Sequence, residues 1–270
     1  MNTYQEQVFD ANGVRINYIQ ASAAGRPLVL LHGAGSEWQS FLPLIPVFEN
    51  NFQVFALDLR GHGRSSWVRG KYRLLDYAED VQCFLDRHVG QPSILYGHSL
   101  GAQISIAAAA ESPRLACALI LGDPAFYFHR MATRESVWHE AFVELHHVIS
   151  TMHSAPEMDD YMARQYPGME PQRRKARAET MSHIDPGVIE AILEDRHLEG
   201  FNADLFLRRI TCPVLIVQGN PGLGAALRDE DLAYMTERLR NYDVLHMQDV
   251  GHGLPTARTL SRLEAFLASI

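Results

Sequence analysis

Only three cysteines, Cys83, Cys117 and Cys212, occur in 270 residues, and they lie far apart. Such an odd, scattered set excludes a disulfide framework and offers no zinc-ligand spacing. No apolar run approaches the roughly 18 residues of a membrane span. The opening MNTYQEQVFD has neither a basic cluster nor an apolar segment. A cytoplasmic protein with no membrane partner is expected. Positive charge is scarce as well: the formal charge is −8, and the densest basic cluster, Arg173, Arg174, Lys175 and Arg177, is short and followed by acids. That cluster reads as a solvated helix face, and nucleic acid is not expected as a partner. Internal repeats and low-complexity tracts are also missing.

What is present is an ordinary globular composition, 47% hydrophobic and 21% charged, enough for a sizeable core. Short apolar runs bounded by Gly, Pro and Asp recur at 15–20, 27–33, 53–59, 93–97, 118–123, 213–219 and 244–247. Their continuous hydrophobicity is what strands covered on both faces require. Helical patterns lie between most of them, notably at 74–90 and 100–111 and in the C-terminal TLSRLEAFLASI. Alternating strands and helices imply an α/β fold, a mainly parallel sheet of about eight strands flanked by helices. From Pro124 to Arg209 the alternation stops, and helical segments are expected at 133–152, 156–165, 170–182 and 186–196. The expected organisation is a core over 1–123 and 210–270, interrupted by a helical insertion over 124–209.

Gly97-His98-Ser99-Leu100-Gly101 stands between a predicted strand and a predicted helix. On so tight a turn a serine is forced into a strained backbone, and the flanking glycines avoid clashes. Its hydroxyl then stands clear of the sheet at the head of a helix dipole. A serine hydroxyl needs a base, and the base needs an orienting partner. Gly251-His252-Gly253, on the loop after the last predicted strand, supplies a base. His32-Gly33-Ala34-Gly35 closes another strand, and a bend there can aim the Ala34 N–H at a tetrahedral oxyanion, with the Leu100 N–H as second donor.

In this order, and with LDLRGHGRSS at 57–66, these motifs resemble the α/β-hydrolase fold superfamily over nearly the whole chain. The resemblance implies Ser99 as nucleophile, His252 as base, and Ala34 and Leu100 as the oxyanion hole. His62 then belongs to a structural turn, and His32 and His98 act as supports. The family's usual pattern places the acid after the strand that follows the insertion, as Gly-x-x-Asp. Here that stretch reads Gly219-Asn220-Pro221-Gly222. Asp123, at the end of the preceding strand, is the leading replacement, because neighbouring strand ends in a parallel sheet share one crevice. Asp229, Glu230 and Asp231 compete for the role, although acids there also suit the first turn of a helix. A Ser-His dyad or a non-catalytic protein is the remaining option.

The insertion would serve as a lid over the site. Its Phe126, Trp138 and Phe142 are candidates for an apolar substrate pocket. It also carries His139, His146 and His153, which share a helix face if the helix continues that far, but two-turn spacing without an acid or cysteine makes no metal site. The expected activity is a carboxylic ester hydrolase acting on a small, largely apolar acyl substrate, with no cofactor and no metal. Alternatives on the same fold are a cofactor-free dioxygenase of heteroaromatic rings, a carbon–carbon bond hydrolase and a receptor-like binding module. Oligomeric state is not encoded in these motifs.

Overall fold

The computed structural model describes residues 4–255 and 257–270. The strands are β1 (Glu6–Ala11), β2 (Val14–Ala21), β3 (Arg26–Leu31), β4 (Phe52–Leu57), β5 (Ser93–His98), β6 (Ala116–Gly122), β7 (Val214–Gln218) and β8 (Tyr242–His246). They form one eight-stranded sheet in the order β1-β2-β4-β3-β5-β6-β7-β8. The β1–β2 and β2–β4 pairs are antiparallel and all later pairs are parallel.

Side chains along each central strand alternate between two cores. Val29 and Leu31 face one of them, while Leu28 and Leu30 face the other. On the first face lie α2 (Leu74–Phe84) and α3 (Leu100–Glu111). On the second lie α1 (Ile45–Phe48) and α10 (Ala257–Ser269), through Ile45, Phe48, Leu263, Phe266 and Leu267. Burial on both faces explains why these strands read as unbroken apolar runs. Beyond Phe84 the α2 helix continues as a π-turn over Leu85–Val89 and stops at Gly90, whose φ of 73° suits a left-handed cap.

The strand without an apolar run is β1, an edge strand with Val8 59% exposed. It turns into β2 at Asn12 and Gly13, with φ values of 54° and 91°. Positive φ at both positions is the signature of a tight hairpin, and Asn-Gly is the sequence signal that marks it.

Between β6 and β7 run α4 (His139–Thr151), α5 (Ala155–Gln165), α6 (Pro171–Ser182), α7 (Pro186–Leu193) and α8 (Ala203–Arg209). The last of these packs against α3 through Phe206 and Leu207. Because α4 ends at Thr151, His153 leaves the helix and its N–H bonds Glu157 instead. Three of the bonds that tie the insertion to the core hold its far helices. Tyr72 donates to Asp185, Thr180 to Glu37 at 2.9 Å, and Arg177 to the Gly35 carbonyl at 2.6 Å. A further core helix, α9 (Asp229–Thr236), lies between β7 and β8. Among the described residues no helix is long and apolar enough to cross a membrane.

Candidate active site

Ser99 closes β5 and opens α3 with φ 53° and ψ −113°, a conformation that L-residues avoid. The surrounding backbone holds it there. The Ser99 N–H donates to the Gly122 carbonyl at 2.8 Å, and its hydroxyl makes no cap bond to α3. Both flanking glycines are demanded by close approach. A Cβ at Gly97 would meet the Gly101 carbonyl oxygen at 2.1 Å, and one at Gly101 would meet that of Leu31 at 2.0 Å.

His252 lies on the loop after β8 with its Nε2 3.1 Å from Ser99 Oγ and its Nδ1 2.6 Å from Asp123 Oδ2. With Nδ1–H donating to the carboxylate, Nε2 is free to accept the serine proton. The ring is flanked by His98 at 4.8 Å and Trp138 at 5.0 Å between centroids.

Asp123 follows β6 in a strained backbone of its own, φ 42°, and is fully buried. Its carboxylate accepts backbone N–H groups from Gly219 at 3.1 Å, Ala226 at 2.8 Å and Leu227 at 3.2 Å. Burial pushes this carboxyl up. The His252 bond, the Ala226 and Gly219 N–H groups and the histidine charge outweigh burial and hold it below the ordinary value. The loop after β7, where the acid was sought, thus supplies donors to an acid on the neighbouring strand. Gly219 has no space for a side chain, since a Cβ there would lie 2.1 Å from the Gly251 carbonyl oxygen.

The competing acids are engaged elsewhere, in the first turn of α9. Asp229 accepts from Gln218 at 2.9 Å. Asp231 is buried and takes Arg130 Nε at 2.7 Å and His129 at 2.9 Å, while Glu230 is an exposed neighbour of Arg130 at 3.5 Å. None of the three touches His252.

The loop carrying Ala34 is held by two neutral histidines. His32 accepts the Leu59 N–H on Nε2 at 3.0 Å and donates from Nδ1 to the Gly33 carbonyl at 2.8 Å. His62 accepts the Gly35 N–H at 3.2 Å and donates to the Arg60 carbonyl at 3.0 Å. Burial lowers their pKa values to about 4 and about 3, respectively, so each is locked in one tautomer. The same effect brings His98 to about 3. Among the described residues no acceptor takes the Ala34 or Leu100 N–H.

Ser99, Ala34, Leu100, Gln103, Ala125, Tyr127, Phe142, Ile192 and His197 line a cavity of about 20 Å³. That is room for little more than one water molecule. Phe142 is therefore at the site, and Trp138 is beside it over His252. Phe126 does not line the cavity: its ring is fully buried in the core against Phe128, 4.6 Å away. His197 was not foreseen. It lines the cavity with Nδ1 3.3 Å from the Ala191 carbonyl oxygen, and burial lowers its pKa to about 4. Nothing in its local sequence separates it from the surface histidines.

Comparison with known proteins places the chain by family and fold. The 2-(acetamidomethylene)succinate hydrolase of Mesorhizobium japonicum is 28% identical over 221 residues, covering 78% of this chain and 76% of that protein. The (E)-2-((N-methylformamido)methylene)succinate hydrolase of Acinetobacter baylyi is 34% identical over 92 residues, only 34% of this chain and 35% of that protein. Among solved structures, an N-formylmaleamic acid deformylase from Pseudomonas putida superposes with a TM-score of 0.77 at 22% identity, covering 98% of this chain and 99% of that one. The sequence profile described as the alpha/beta hydrolase family matches residues 28–266, most of the chain, and the protein belongs to that family of hydrolases.

Proposed function

We propose that the protein is a serine hydrolase that cleaves a small acyl substrate, an ester or an activated amide, through an acyl-enzyme. Ser99 Oγ attacks the carbonyl carbon and its proton passes to His252 Nε2. Asp123 holds the resulting imidazolium in place, and the N–H groups of Ala34 and Leu100 receive the negative oxygen. The leaving alcohol or amine takes the proton from His252. Water, deprotonated by the same ring, then attacks the ester on Ser99 and releases the acid.

The observation that carries this reading is the relay from buried Asp123 through His252 to Ser99, at 2.6 and 3.1 Å. The free Ala34 and Leu100 donors beside Ser99 support it. The helices between β6 and β7 then act as a lid. A cavity of only about 20 Å³ admits a substrate larger than water only if Phe142 or its neighbours move. Both curated relatives are named for hydrolysing nitrogen-bearing derivatives of succinate. That supports extending the substrate class from esters to amides of small acids.

The test is a panel of nitrophenyl esters of graded acyl length, with fluorophosphonate labelling, on wild type and Ser99→Ala. Turnover is expected to fall by about 10⁴-fold or more in the variant, with loss of label. Retained turnover would remove Ser99 from the chemistry.

A further inference from the structure

The basic cluster of α6 is not the uniform solvated face that its sequence suggests. Arg173 and Lys175 are exposed and Arg174 pairs with Asp159 at 2.6 Å, but Arg177 is half-buried and turns inwards. Its Nη1 donates to the Gly35 carbonyl at 2.6 Å. Among the described residues it has no ion-pair partner, and burial without a compensating carboxylate pulls its pKa below the ordinary arginine value.

Arg177 lines a cavity of about 320 Å³ whose walls include Leu145, Val148, Met162, Met169 and Met181. Glu144 lines it too, but its oxygens accept from Tyr161 at 3.3 Å and Tyr166 at 2.5 Å rather than from the arginine. A guanidinium carries five N–H donors, and with one protein acceptor the rest are open to water in the cavity or to an anion that displaces it. A carboxylate matches that fork in a bidentate pair.

This cavity and the one at Ser99 share a wall. Gly35 directly follows Ala34, and α4 lends Phe142 to one cavity and Ala141 and Leu145 to the other. The packing is close, since a Cβ at Gly35 would lie 2.9 Å from Leu145 Cδ2 and 3.7 Å from Arg177 Nη2. A carboxylate on Arg177 would then lie beside the loop that carries the Ala34 donor.

We propose that Arg177 recognises a carboxylate on the substrate, whose scissile carbonyl lies at Ser99 some two to four carbons away. The substrate class is the half-ester or half-amide of a short dicarboxylic acid, its chain joining the two cavities when Phe142 swings aside. This rests on the serine-hydrolase reading, and the experiment separates the two. Calorimetry measures glutarate binding at low salt to Ser99→Ala, alone and combined with Arg177→Met or Arg177→Lys. In parallel, kcat/KM is compared for mono-nitrophenyl glutarate and its near-isosteric uncharged analogue nitrophenyl 5-methylhexanoate in the Ser99 proteins.

Glutarate is expected to bind, with affinity falling at least tenfold in Arg177→Met and less in Arg177→Lys. The ratio of charged to uncharged ester turnover should fall by a similar factor in Arg177→Met, a ratio that cancels any general slackening of the Gly35 loop. Absent glutarate binding, or binding and ester ratio indifferent to Arg177, overturns the proposal. Arginine-dependent binding without Ser99-dependent turnover upholds the carboxylate site and overturns the hydrolase reading instead.

Discussion

The C-terminal ends of β6 and β7 lie side by side, paired from Leu119↔Val214 to Gly122↔Val217, yet they play opposite chemical roles at the site. The end of β6 presents a buried carboxylate, Asp123. The end of β7 and its loop present N–H groups from Gly219, Ala226 and Leu227. An acid need not keep its place in the chain provided that it reaches the same crevice and finds donors there. The loop after β7 has kept its contact with the histidine loop, as Asn220 N–H donates to the Val250 carbonyl at 2.7 Å. What it has given up is the side chain.

Breaking this division of labour from the β6 side should have the largest effect. Asp123→Asn is expected to lower kcat by about 10⁴-fold while fluorophosphonate labelling of Ser99 remains detectable, because the hydroxyl and oxyanion donors stay in place. Adding Gly222→Asp to that variant should recover about tenfold in kcat, as it returns a carboxylate to the β7 loop. The space is there, with only Asn220 Oδ1 as near as 3.2 Å to a Cβ at Gly222. Unimproved turnover in the double variant would show that the β7 loop cannot reach the ring.

Asp231 tests the same comparison from the other side. Because it is buried against Arg130 and His129 and remote from His252, Asp231→Asn should cost about 3 kcal/mol in urea unfolding. Its kcat should stay within about threefold of wild type. A collapse of turnover without loss of stability would reinstate the α9 acids.

The effects of pH build up gradually over several units and fall on stability rather than on turnover. His32 and His62 titrate at about 4 and about 3 in the fold against an ordinary 6.5. The unfolded chain therefore takes up protons that the folded chain refuses. Stability should be full above about pH 6.5 and decline by up to about 1.4 kcal/mol per unit for each histidine as pH falls below it. Asp123 acts in a lower window: its contribution is present above the unfolded carboxylate value near 3.9 and disappears as pH falls through its depressed value. Urea midpoints between pH 7 and 3 should thus show a shallower upper slope in His62→Gln and a shallower final slope in Asp123→Asn. Identical slopes in all three proteins would mean that these groups do not titrate as their surroundings require.

Much of this molecule was legible in the chain. The central strands announced themselves because burial on both faces demands continuous apolar sequence, and Ser99 and His252 because glycines must flank them at close backbone approach. β1 was overlooked, since an edge strand needs no apolar run, although Asn12-Gly13 marked its turn. Phe126 and Phe142 look alike as aromatic residues of one insertion, but only Phe142 lines the cavity at Ser99. Arg177 looked like its exposed neighbours, and its inward face became visible only through a carbonyl 142 residues away.

The sequence by itself determined the alternating layers, the strained serine turn and the histidine loop, all of which depend on neighbours close along the chain. The tertiary structure alone decided which carboxylate meets His252, which aromatic ring closes the cavity and which arginine is left without an anion. Those choices depend on what distant segments bring within about 3 Å of one another, and hydrogen bonds at that range are not written in local pattern.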